Sequence, residues 1–92
     1  MGRKPLSGAD REHGRRLGRL IAAVRIERQQ SASDLARESR VALDTVRSLE
    51  NGRVAMPAFL TVARLAGALG LSLDELNARA AGDGSPGKRR AW

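Results

Sequence analysis

Between positions 44 and 53 stand Asp44, Thr45, Arg47, Ser48, Asn51 and Arg53. Their chemistry is hydrogen bonding and charge rather than bond breaking. An arginine offers a planar fork of donors that fits guanine O6 and N7, or a phosphate. Hydroxyl and amide side chains bond phosphate oxygens. Asp44 has two readings: a carboxylate accepts from cytosine N4, and it also sits well at the positive end of a helix. No nucleophile, base or metal set accompanies them. The chain has no cysteine, and His13 is its one histidine. The expectation is a binding protein, not an enzyme, with neither metal nor cofactor.

The charge balance names the kind of partner. Lys and Arg total 17 against 10 Asp and Glu, a net +7 in 92 residues. Such basicity in one small domain points to nucleic acid or a membrane surface. Proteins that bind RNA or single strands stack bases on aromatic side chains, and only Phe59 and Trp92 are aromatic. No apolar run nears the ~18 residues of a membrane span, and the N-terminus lacks the apolar core of a signal peptide. A soluble cytoplasmic protein without a membrane partner is expected. Most of the excess charge lies at the two ends. Both ends are rich in Gly, Pro and Ser, which predicts flexible basic arms over 1–9 and 81–92 around a folded domain, 10–80.

Positioning the polar set requires elements, and the sequence punctuates itself into five helices with no strand signal. Asp10 is placed to cap the first, whose apolar face is Leu17, Leu20, Ile21 and Val24. Gly18 lies inside that helix, where glycine costs about 1 kcal/mol; close approach of another helix would explain it. Ser31 to Asp34 has capping-box spacing and opens a short second helix. A turn at Arg40–Val41 leads to a third helix over 43–50, stopped by Asn51-Gly52. Pro57 suits the first turn of a fourth helix, which carries Phe59, Leu60, Val62, Ala63, Ala66 and Leu69. Ser72 and Glu75 form a second capping box, with Leu71 and Leu76 as its staple, and open a last helix that ends about Arg79.

Two short helices joined by a tight turn, over about 31–51, read as a helix-turn-helix. The ordered set Leu35-Ala36, Val41, Thr45-Val46, Leu49-Glu50-Asn51-Gly52, Pro57, Phe59-Leu60 and Ala68 to Leu76 resembles the Cro/C1-type (XRE) family of DNA-binding proteins, lambdoid phage repressors among them. The likeness covers about Leu17 to Leu76. It implies an all-α, compact five-helix domain that regulates transcription, as a repressor, with helix 43–50 in the major groove of double-stranded DNA. One short helix reads few base pairs, so a homodimer on a two-fold operator is expected, with its contact around Leu71, Leu73 and Leu76, some of which must also serve the core. The alternative is an antitoxin or adaptor of the same fold, acting mainly through a protein partner.

On that pattern each polar residue acquires a role. Arg47 faces the bases. Ala42 and Leu43 are placed to touch a thymine methyl. Ser48 is a base or phosphate contact, and Ser33, Thr45, Asn51 and Arg53 are phosphate contacts. Arg25 and Glu50 are expected to pair as a structural salt bridge. The chain departs from the pattern at Arg40, where the family often has glycine and a non-glycine residue in a left-handed turn costs about 1 kcal/mol or more. It departs again at Ala32, Ala42 and Leu43, where polar residues are usual.

Overall fold

The computed structural model describes residues 8–54 and 56–80. Among these, five helices and no strand are found: α1 (Gly8–Glu27), α2 (Ala32–Ser39), α3 (Leu43–Glu50), α4 (Phe59–Leu69) and α5 (Leu73–Ala80). The remainder of the two basic arms lies outside the described residues, but Gly8 and Ala9 already belong to α1. Asp10 is therefore not the cap of α1. It lies within the first turn, where a carboxylate favours the exposed N–H groups of the helix end.

The apolar spacing of α1 explains its packing. Gly14, Leu17, Gly18, Ile21 and Val24 share one buried stripe, and the helix lies along α3 and α5. Gly18 is the point of closest approach. A β-carbon there would collide with the backbone carbonyl of Leu49, so only glycine lets α1 and α3 meet at that distance. The core between the helices is built from Ile21, Leu35, Val46, Leu49, Leu65 and Leu76, all fully buried. The buried hydroxyl of Ser39 is satisfied within its own helix, donating to the Leu35 carbonyl at 2.6 Å.

Helix ends follow local chemistry. At α2 the Ser31 hydroxyl accepts from the Asp34 N–H at 2.9 Å, and the Asp34 carboxylate accepts from the Ser31 N–H at 2.9 Å. Ser72 and Glu75 repeat this box at α5. Arg40, after α2, takes the left-handed conformation (φ 61°, ψ 37°). The strained turn expected from a non-glycine residue is present.

α4 departs from the sequence expectation at its start. Pro57 does not enter its first turn, because Ala58, with extended backbone, is the N-cap and the helix starts at Phe59. Phe59 and Leu60 do not face inward; they are 73% and 56% exposed. The buried stripe is Leu65, Ala66 and Leu69, with Val62 partly buried against it. Phe59 continues that stripe by one turn but overhangs the end of the core. It flanks an open groove of about 480 Å³ shared with Val62, Leu73 and Asn77.

Candidate nucleic-acid interface

α3 is held from behind and left bare in front. Val46 and Leu49 are fully buried, so the residues between and beside them point outward. Ala42, Asp44, Arg47, Asn51 and Arg53 are exposed, while Thr45 and Ser48 are half-buried. Ser33, near the start of α2, is exposed too. Leu43 is partly committed to the interior, packed against the core. Neither Arg47 nor Arg53 forms an ion pair with another described residue.

The two ends of α3 are unlike. Its N-cap, Ala42, makes no side-chain hydrogen bond, so the first N–H groups of the helix lack that partner and remain available at the surface. Its C-terminus is closed by paired backbone bonds. The Arg53 N–H donates to the Ser48 carbonyl at 2.9 Å and the Gly52 N–H to the Leu49 carbonyl at 3.1 Å. This reversal needs a residue at φ 76°, which Gly52 supplies. It fixes Asn51 and Arg53 at a defined position beside the helix rather than on a loose loop.

Behind α3, Arg25 and Glu50 tie it to α1. The Arg25 Nε donates to Glu50 Oε2 at 2.8 Å and Nη2 to Oε1 at 3.0 Å. The third fork position, Nη1, donates to the Gln30 carbonyl at 2.8 Å. The side chains are only 15% and 10% exposed. The hydrogen bond to Glu50 raises the Arg25 pKa further above its ordinary value, against the opposing effect of burial. The pair is a largely buried structural link between α1 and α3.

A helix-turn-helix domain family model matches residues 16–78, more than half of the chain. The chain belongs to this helix-turn-helix family. Its similarity extends to a solved structure, that of the clp gene regulator ClgR from C. glutamicum, at 28% identity and a TM-score of 0.68, covering 92% of this chain and all of that one. No curated protein matches it. The matched span holds α2, α3 and their turn, all of α4, and the parts of α1 and α5 that fall within it. No helix among the described residues is long and apolar enough to cross a membrane.

One cationic cluster was not singled out by the sequence reading. Arg15, Arg16 and Arg19 surround the carboxylate of Glu12. The signal was available, since positions 12, 15, 16 and 19 share a helical face.

Proposed function

We propose that this helix-turn-helix protein is a sequence-specific double-stranded DNA-binding regulator, acting as a repressor by occupying promoter DNA. The single observation that carries this reading is α3 itself, locked to the core by Val46, Leu49 and the Arg25–Glu50 pair while its opposite side stays exposed. In this reading Arg47 contacts base edges. Ala42 and Leu43 lie beside a thymine methyl, with Leu43 offering only its uncovered part. Asn51 and Arg53 hold phosphates together with Ser33 and Thr45, and Ser48 serves either purpose. Asp44 supports the start of α3 more than it reads a base.

One eight-residue helix reads few base pairs, so specificity calls for two half-sites and a two-fold dimer. Leu76 is unavailable to such a dimer, being 1% exposed in the core, whereas Met56, Phe59 and Leu60 keep apolar surface free. Those three, with the partly exposed Leu71 and Leu73, offer apolar surface to a second copy.

The test is selection of bound duplexes from a random library, followed by binding to the selected site, its single-base variants and random DNA. Arg47→Ala is expected to cost about 1–3 kcal/mol on the selected site and to relax selection at one base position. Arg53→Ala is expected to weaken all duplexes alike. Equal losses on selected and random DNA would reduce Arg47 to a phosphate contact. Failure of the intact chain to bind any duplex at low salt would move the assignment to the antitoxin or adaptor reading.

A further inference from the structure

The second charged cluster of α1 is built differently from the first. Glu12 Oε1 is 3.6 Å from Arg15 Nε, and Glu12 Oε2 is 3.5 Å from Arg16 Nε and 3.4 Å from Arg19 Nη2. One carboxylate thus faces three guanidiniums, a local excess of two positive charges. All three distances exceed the ~2.7–2.9 Å of a well-formed charge-assisted bond, in contrast to the 2.8 Å of Arg25–Glu50. Each guanidinium carries five N–H donors, so most of those donors do not go to Glu12. The three arginine side chains are 45%, 42% and 62% exposed.

Helix stability does not account for this arrangement. A single Glu–Arg pair at these spacings stabilises a helix by about 0.2–0.5 kcal/mol, and like charges at i, i+4 cost a similar amount. Arg15 and Arg19 stand at that repulsive spacing, and Arg16 and Arg19 are three apart. Adding a second and third arginine to one glutamate therefore gains little for the fold. A polyanion removes the repulsion.

Position supplies the rest. The Arg15 stem packs over Gly52: its Cγ and Cδ lie 3.2 and 3.6 Å from where a β-carbon of Gly52 would stand. Gly52 is flanked by Asn51 and Arg53, the residues proposed above to hold the DNA backbone. The α1 cluster thus begins where that loop ends. We propose that Arg15, Arg16 and Arg19 form a second phosphate-binding site, continuous with the Asn51–Arg53 loop, in which Glu12 occupies the place of a phosphate until DNA displaces it. This rests on the DNA-binding reading above and extends its footprint along the backbone.

The experiment measures duplex affinity against salt for the whole chain, Glu12→Gln, and the double variant Arg16→Gln/Arg19→Gln. Arg15 is left in place because its stem also packs on Gly52. The logarithmic salt slope changes by about 0.9 for each phosphate neutralised. The double variant is expected to flatten the slope by about 1–2 and to weaken selected and random duplexes equally, roughly tenfold at low salt. Glu12→Gln is expected to tighten both several-fold. Neither should alter single-base preference, and thermal melts of both variants are expected to stay close to wild type. If the wild-type chain binds DNA and both variants match its affinity and slope, the cluster is a helix-surface ion network and the proposal is overturned alone. If the wild-type chain binds no duplex, it falls together with the DNA reading.

Discussion

α2 and α3 are both eight residues long and adjacent in the chain, yet they are held by opposite means. α2 carries its own end chemistry, a complete capping box at Ser31 and Asp34. α3 has no side-chain cap and depends on tertiary contacts: two fully buried side chains, the bare α-carbon of Gly18 and the Arg25 fork. Isolated helices this short are unstable in water, so each needs help. The help takes the form that leaves the working surface clear. A cap occupies the first N–H groups of a helix; tertiary contacts occupy only its back. α3 presents both its first N–H groups and its outward side chains because its order comes from behind.

The largest break in this comparison is at Gly18. Gly18→Ala places a methyl group on the Leu49 carbonyl, and neither backbone can move without separating α1 from α3. Overpacking of this severity costs about 3 kcal/mol or more, which for a domain of this size lowers the midpoint by more than about 12 °C. Gly67→Ala is the control. Gly67 is exposed in α4 with open space around it, so the same change there is expected to raise stability by about 0.5–1 kcal/mol. Thermal melts of the two variants in parallel check the sign of each. A Gly18→Ala melt like that of Gly67→Ala would contradict the close α1–α3 contact.

Next in size is Glu50→Ala. It leaves Arg25 largely buried with only the Gln30 carbonyl as its hydrogen-bond partner. Removing one member of a buried pair is costly because the other charge stays behind; slight exposure here brings the expected loss to about 2 kcal/mol. Chemical denaturation measures it. An effect near zero would make the pair a surface feature, and added salt that reproduced the loss in wild type would say the same.

What the sequence made legible follows from where each signal lives. Capping boxes are local, and Ser31/Asp34 and Ser72/Glu75 could be read directly from spacing. Gly18 was readable as a close approach because a glycine inside a helix calls for a reason. The left-handed turn at Arg40 was legible only through the resemblance, whose members often have glycine there. Phe59 was not readable: its spacing from Val62 and Ala66 is that of a buried stripe, and only the three-dimensional end of the core shows that it overhangs. Of Leu71, Leu73 and Leu76, some of which had to serve the core, Leu76 is the one the interior takes, and spacing alone did not single it out. At the candidate interface, outward placement of Arg47 follows from Val46 being buried, whereas the Arg15–Gly52 contact joins residues 37 positions apart and has no local signature.

The smallest effect concerns the caps themselves, and it is the sharpest test of why α3 lacks one. Ser31→Ala removes the hydroxyl that accepts from the Asp34 N–H and is expected to cost about 1 kcal/mol. Ala42→Ser supplies a hydroxyl where none acts. Ala42 has φ −58° and ψ 141°, close to the extended backbone from which Ser31 caps α2, so the new hydroxyl can reach an N–H of the first turn. The gain is expected to be smaller than the loss at Ser31, about 0.5 kcal/mol, because position 45 is threonine and cannot return the second bond of a box. Acid melts separate the two ends further. The Ser31 backbone N–H, then the Ser31 side chain, hold the Asp34 carboxyl below its ordinary 3.8. Its contribution is therefore complete above that value and is lost as the pH falls through the lower folded-state pKa. Ser31→Ala should weaken this acid sensitivity, and Ala42→Ser should leave it unchanged. The decisive reading is on DNA. If the uncapped N–H groups of α3 face the duplex, Ala42→Ser will melt higher yet bind the selected site more weakly. A variant that gains stability and keeps full affinity would show that the bare N-terminus of α3 has no part in the interface.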